Sequence, residues 1–142
     1  MTKYESLLDA VESSGIIFTE TDSAGIPAHA IRIDKDYGIF FNESAYKTTA
    51  DRRIALAHEK AHCDTGAVYS IGTPEMTWRI CEARAWRRTI HDMLPFDEMK
   101  AAFTSCVYAD GLDVYELAEK LDVTLEFAKK AIEHYHQRGE RW

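Results

Sequence analysis

The sequence has few cysteines and no long apolar run. Its 142 residues include three cysteines, Cys63, Cys81 and Cys106. An odd number without an export signal predicts free thiols in a reducing compartment. The N-terminal segment "MTKYESLLDAVESSG" carries charges throughout and lacks the apolar core of a signal peptide. Because no apolar stretch approaches the roughly 20 residues of a membrane span, we expect a cytoplasmic protein without membrane contact.

The sequence also contains fewer basic than acidic residues. There are 17 lysines and arginines against 24 acidic residues, which gives a net charge of -7. Such a chain repels phosphate, which argues against direct DNA binding and against anionic membranes. The content of 46% hydrophobic and 29% charged residues is typical of a soluble globular protein. We interpret residues 1–142 as one domain, and the sequence does not indicate its oligomeric state.

The first third of the chain, residues 1–47, is predicted to form one helix and a small antiparallel sheet. The helix covers Lys3–Ser13, where apolar residues recur at helical spacing. A short strand follows at 16–18. The segments "HAIRI" and "YGIFFN" are rich in β-branched or aromatic residues and predict two more strands. The segment "TDSAGIPA", residues 21–28, has the composition of a turn.

Helices are predicted for the rest of the chain. In residues 48–95, one helix begins at Thr48 and ends near residue 65, and a second begins at Pro74 and ends near Met93. In the helical tail, residues 96–142, the segment "PFDEMKAAFTSCVY" predicts a helix. Two further helices follow, with Thr124 as the N-cap of the last one. The predicted fold class is α+β, mostly helical, with a C-terminal helical hairpin.

The stretch "RRIALAHEKAHCD" contains the pattern H-E-x-x-H. On a helix, His58 and His62 lie one above the other and can offer two nitrogens to one metal ion, for which zinc is suited. Glu59 is rotated by about 100° and can reach the open position of that metal. The alternative is a solvated helix whose histidines face water, and the three-residue pattern alone does not exclude it.

Glu82 is the candidate third ligand that a catalytic zinc site requires. It is predicted on the following helix with Trp78 and Trp86 at helical spacing, and a carboxylate on such an apolar face needs a cation. The alternative is a surface salt bridge from Glu82 to Arg79 or Arg84. Three small residues that would let the two helices approach closely are Ala57, Ala61 and Ala85.

Other candidates for the third ligand fit less well. Glu75 lies too close to the helix start, and Asp64 faces away from the row formed by the two histidines. His91 lies about half a helical turn around from Glu82. Cys63 and Cys81 adjoin predicted ligands, but helical rotation turns them away from the metal, so we interpret both as packing residues.

With these residues in place, the chain resembles the ImmA/IrrE family of zinc-dependent metallo-endopeptidases, which prophages and mobile elements often carry. The resemblance runs from roughly Tyr4 to Tyr135 and rests on a strand pair, "RRIALAHEKAH", "EARAWRRTIHDMLP" and a helical tail. The sequence departs from the family at Lys60 and Ala61, where Leu-Gly is common. Alanine keeps that position small, whereas Lys60 predicts a more solvated side of the helix.

The resemblance implies that His58, His62 and Glu82 bind zinc and that Glu59 is the catalytic acid and base. It also implies a protein substrate, because the family usually cleaves a helix-turn-helix repressor of a mobile element or stress response. Manganese or iron could occupy the same ligands. The alternative function is a non-proteolytic partner of such a repressor, either a toxin–antitoxin component or a pseudo-protease.

Two features stay open in the sequence. Peptide hydrolysis needs a group that stabilises the oxyanion, and the candidates for this role are His29, Tyr37, Tyr46 and Tyr69. The segment "ELAEKLDVTLEFAKKAI" resembles half of a helix-turn-helix. Because it is rich in acids, we favour a packed hairpin over a DNA-binding unit. The predicted core of this hairpin comprises Leu117, Ala118, Leu121, Val123, Phe127 and Ile132.

Overall fold

The computed structural model describes residues 1–22 and 25–142, in two compact units. The first unit is Met1–Thr89 and the second is Ile90–Trp142. The predicted turn at 21–28 includes residues 23 and 24, which lie outside the described residues. Within the described ranges, no helix has the length and apolar character needed to cross a membrane.

The first unit combines a three-stranded sheet with helices. Its elements are α1 (Lys3–Ser13), β1 (Ile17–Glu20), β2 (Ala28–Ile33), β3 (Asp36–Phe41), a 3-10 turn (Glu43–Ala45), α2 (Thr49–Thr65) and most of α3 (Glu75–Met93). The strand order is β1-β3-β2. Strand β2 pairs with β3 in the predicted antiparallel sense, whereas β1 runs parallel to β3. The predicted sheet is therefore present in the first third of the chain, with one parallel pairing.

Helix α2 positions most of the site residues. It begins after Thr48, whose hydroxyl oxygen accepts the Asp51 N–H at 3.0 Å, so the predicted N-cap is confirmed. It ends at Gly66, whose φ of 69° allows the left-handed cap conformation. One face of α2 packs on α1 and on the sheet. Leu56 and Phe41 are fully buried in the core that these elements share.

The second unit contains α4 (Phe96–Ser105), β4 (Val107–Tyr108), β5 (Gly111–Leu112), α5 (Val114–Leu121) and α6 (Leu125–Gln137). The predicted extension of α4 through "CVY" is wrong, because Val107–Tyr108 pairs with Gly111–Leu112 as a short hairpin. β-Branched and aromatic residues favour extended backbone here. Gly111, with a φ of 114°, closes the turn.

The C-terminal helices α5 and α6 pack as a hairpin. Thr124 caps α6 by accepting the Phe127 N–H at 3.1 Å, as predicted. Four residues of the predicted core are buried, namely Leu117, Ala118, Val123 and Phe127, while Leu121 and Ile132 are half-buried. Tyr135 is fully buried, and its hydroxyl donates to the Leu94 carbonyl at 2.7 Å. The chain is mostly helical with a small sheet, which confirms the α+β class.

Candidate metal centre

Three side chains from α2 and α3 converge in the first unit. His58 Nε2 lies 2.9 Å from Glu82 Oε2, and His62 Nε2 lies 3.0 Å from Glu82 Oε1. The two Nε2 atoms are 3.1 Å apart. Among the described residues, this trio is the one group of three His, Cys, Asp or Glu side chains arranged to hold a metal ion. The three predicted ligands are therefore brought together.

The chemistry and spacing of this trio fit zinc. Two imidazole nitrogens and one carboxylate form a typical catalytic zinc set, in which a fourth position stays open. Tetrahedral ligands at about 2.0–2.2 Å from zinc lie roughly 3.3–3.5 Å from one another. The observed separations of 2.9–3.1 Å are a few tenths of an ångström shorter. Small side-chain shifts would therefore accommodate the ion.

Neighbouring groups hold each ligand in position. The ring of Trp86 stacks on His58 with centroids 3.9 Å apart. His62 Nδ1 donates to the Ala67 carbonyl at 2.6 Å, which leaves its Nε2 lone pair for a metal. The Tyr69 hydroxyl donates to Glu82 Oε1 at 2.8 Å. Three small residues of these two helices, Ala57, Ala61 and Ala85, are buried.

The charges at the centre are strongly coupled. Burial alone raises the pKa of Glu82, but hydrogen bonds from His58 and His62 hold that pKa well below its usual range. Burial lowers the pKa of His62, yet its bonds to Glu82 and to the Ala67 carbonyl raise the pKa overall. Without metal, a proton on His62 thus takes the place of the cation beside Glu82. The Glu82 carboxylate therefore favours a positive charge beside it.

Glu59 lies beside the trio in a cavity of about 260 Å³. The lining residues are Ala28, His29, Ala30, His58, Glu59, His62, Val68, Tyr69 and Glu82. Burial and the Glu82 charge raise the pKa of Glu59 to about 7, although the His62 charge and the Ala30 N–H oppose this shift. A carboxyl group that titrates near neutral pH is suited to move protons.

Of the four candidates for stabilising an oxyanion, two line the cavity of the candidate metal centre and two do not. His29 and Tyr69 line the cavity with Glu59. Burial and the bond to Glu82 raise the pKa of Tyr69 to about 12, so its phenol stays protonated, and its one proton is donated to Glu82. Tyr46 stacks on Phe41 in the core, with centroids 5.2 Å apart. Within the described part of the chain, neither Tyr37 nor Tyr46 lines this cavity.

The residues considered as alternatives to Glu82 for the third ligand form other contacts. Asp64 forms an ion pair with Lys60 at 2.6 Å, and the Lys60 side chain is only 18% exposed. The expectation of a more solvated side at Lys60 is therefore wrong, because the pair covers this part of the helix. Glu75 pairs with Arg79. Burial raises the pKa of the Cys63 thiol to about 12, which makes it a poor ligand.

Two backbone contacts that hold side chains of the candidate metal centre were not predicted from the sequence. The first is the carbonyl of Ala67, which fixes His62 and lies just beyond the predicted helix end. Gly66, a typical helix-ending residue, marked the place where the chain turns back toward α2. The second is the N–H of Ala30, which bonds to Glu59. No local pattern in the sequence indicates which backbone group of a strand faces a distant side chain. No protein-family model, no curated protein and no solved structure matches the chain.

Proposed function

We propose that the protein is a zinc-dependent endopeptidase. The observation that carries this proposal is the convergence of His58, His62 and Glu82 within 3.1 Å, with Glu59 lining the same cavity. A site that only binds metal has no need for a second, half-buried carboxyl group with a pKa near 7. The position of Glu59 therefore favours hydrolysis over a purely structural metal site.

His58, His62 and Glu82 would hold the ion. Bound zinc would polarise the scissile carbonyl and make water nucleophilic near neutral pH. Glu59 accepts a proton from the attacking water and passes it to the leaving amine, while the Ala30 N–H orients its carboxylate. The His29 imidazole, which lines the cavity, would steady the developing oxyanion. The Tyr69 hydroxyl could do so only after releasing its hydrogen bond to Glu82.

The proposed substrate is a cytoplasmic regulatory protein, in the first place a helix-turn-helix repressor of a prophage or mobile element. This part of the proposal rests on the resemblance to the ImmA/IrrE family in "RRIALAHEKAH" and "EARAWRRTIHDMLP". The net charge of -7 supports a protein substrate over direct action on DNA. Repressor cleavage would then switch on the genes that the repressor controls.

The test uses the zinc-loaded protein and a candidate helix-turn-helix repressor, chosen where one is encoded beside its gene, with cleavage followed by mass spectrometry. Glu59→Gln should retain zinc and lose about 10²- to 10⁴-fold in cleavage rate, the usual contribution of a general base. His58→Ala should lose zinc, measured by metal analysis of the purified protein. Glu75→Gln, which alters an exposed acid paired with Arg79, is the control and should change neither quantity.

Two results would contradict the proposal. Cleavage by Glu59→Gln at the wild-type rate would exclude Glu59 as the base. An intact repressor that binds the zinc-loaded protein would favour the alternative function, a non-proteolytic partner of the repressor.

A further inference from the structure

Strand β2 presents an open edge to the cavity. In the described residues it pairs with β3 on one side only. The N–H of Ala30 bonds to Glu59 rather than to β3. Because alternate residues of an antiparallel strand bond to the partner strand, the backbone groups of Ala28 and Arg32 face the same open side as those of Ala30. An extended peptide can pair with such an edge.

A second cavity, of about 520 Å³, continues along this edge. It shares His29, Val68 and Tyr69 with the cavity of the metal centre. Its remaining lining residues are Ile31, Arg32, Gly66 and Ser70. The two cavities thus form one groove between β2 and the segment 66–70. A peptide that spans the metal centre would extend into the second cavity.

Among the described residues, Arg32 is the one lysine or arginine that lines this groove. Its Nε donates to the Asp34 carbonyl at 3.1 Å, and its guanidinium lies 5.9 Å from the centre of the Tyr37 ring. These contacts hold the guanidinium through its Nε and leave its two terminal nitrogens for a ligand. Among the residues that the structure describes, no carboxylate forms an ion pair with Arg32. In a chain with 24 acidic residues, an arginine without such a partner beside the site is available to an acidic ligand.

We propose that Arg32 is a specificity-determining residue that selects an acidic side chain in an extended peptide substrate. This inference rests on the proposed function and names a recognition element of the same site. Residues two apart on a strand are separated by about 6.6 Å. Because Ala30 lies beside Glu59 and Arg32 is two residues further along β2, the selected Asp or Glu lies two or three residues from the cleaved bond.

The experiment compares the wild type with Arg32→Glu on a peptide library made from a digested proteome, and mass spectrometry reads the cleavage sites. Lys35→Glu is the matched control, because it makes the same charge change on an exposed residue outside both cavities. A second arm selects peptides from a display library that bind to the zinc-loaded Glu59→Gln protein, with and without Arg32→Glu. This binding arm does not depend on catalysis.

The wild type and Lys35→Glu should enrich Asp or Glu about two- to fivefold at one position, the scale of a partly solvated ion pair. Arg32→Glu should lose this preference and favour Lys or Arg. Cleavage without an acidic preference, or with a preference that Arg32→Glu leaves unchanged, would overturn the inference and leave the proposed function intact. If no peptide is cleaved, the proposed function fails. The binding experiment then decides about Arg32. Enrichment of acidic residues among the bound peptides that Arg32→Glu abolishes would support the inference. Bound peptides without such enrichment would refute it.

Discussion

The indole of Trp86 stacks on the imidazole of His58, with ring centroids 3.9 Å apart and planes inclined by 27°. Trp86 follows Glu82 by four residues on α3, so both lie on one face of the helix. That face therefore supplies one predicted metal ligand and the surface against which a second predicted ligand, His58, rests. A ring held in one orientation loses less rotational freedom when a metal binds.

Replacing Trp86 with alanine should weaken zinc binding while leaving every ligand in place. Partners that orient a metal ligand are typically worth about 10- to 100-fold in metal affinity. The measurement is a zinc titration against a competing chelator. Trp142→Ala is the control, because Trp142 stacks on Phe103 in the second unit at 4.4 Å. An affinity for zinc that Trp86→Ala leaves unchanged would mean that the stacking does not position His58.

Local patterns in the sequence were enough to predict which three side chains converge at the candidate metal centre. His58 and His62 follow from helix geometry, and Glu82 follows from the need of a carboxylate on an apolar face for a cation. Helix bounds were also predictable where a cap is encoded, as at Thr48 and Thr124, because the capping bond joins residues three apart in the chain.

Features that depend on contacts distant in sequence were not predictable. The parallel pairing of β1 with β3 depends on how the chain returns to the sheet, which composition does not encode. Likewise, the groove along β2 arises because segment 66–70 lies opposite the strand. The hairpin at 107–112 was missed for a different reason, since its strands are only two residues long and adjoin a strong helical pattern.

Gly66→Ala should damage both the fold and the metal centre. Gly66 has a φ of 69°, and a methyl group there would lie 3.3 Å from the Tyr37 hydroxyl. The left-handed backbone alone costs an L-residue about 1–2 kcal/mol. Displacement of the next residue, Ala67, would also disturb the carbonyl that fixes His62. Thermal unfolding and zinc titration are the measurements.

Gly15→Ala is a close control for this change. Gly15 has a φ of 80° at the end of α1, and a methyl group there would meet nothing within 4 Å. It should lose a similar backbone contribution to the free energy of unfolding and keep wild-type zinc affinity. Equal zinc affinity in Gly66→Ala and Gly15→Ala would show that the end of α2 does not position His62.

Without metal, the free energy of unfolding should fall as the pH rises from 5 to 8. Burial raises the pKa of Glu59 from 4.5 to about 7, so its contribution is present below pH 4.5 and is lost as the pH rises through 7. The pKa of His62 is also raised, so its contribution to the free energy of unfolding is likewise lost as the pH rises above 6.5. The pKa of Glu82 is lowered, so its contribution to the free energy of unfolding is present above pH 4.5 and does not change between pH 5 and 8.

The shift at Glu59 from 4.5 to about 7 corresponds to roughly 3 to 4 kcal/mol at most, at about 1.4 kcal/mol per unit of pKa. Glu59→Gln should therefore flatten the pH dependence in urea unfolding of the metal-free protein, whereas Glu75→Gln should leave it unchanged. Saturating zinc should reverse the trend, because the metal competes with the proton on His62 and binds more tightly as the pH rises. A metal-free protein whose stability rises between pH 5 and 8 would mean that neither Glu59 nor His62 holds its proton more tightly in the folded state.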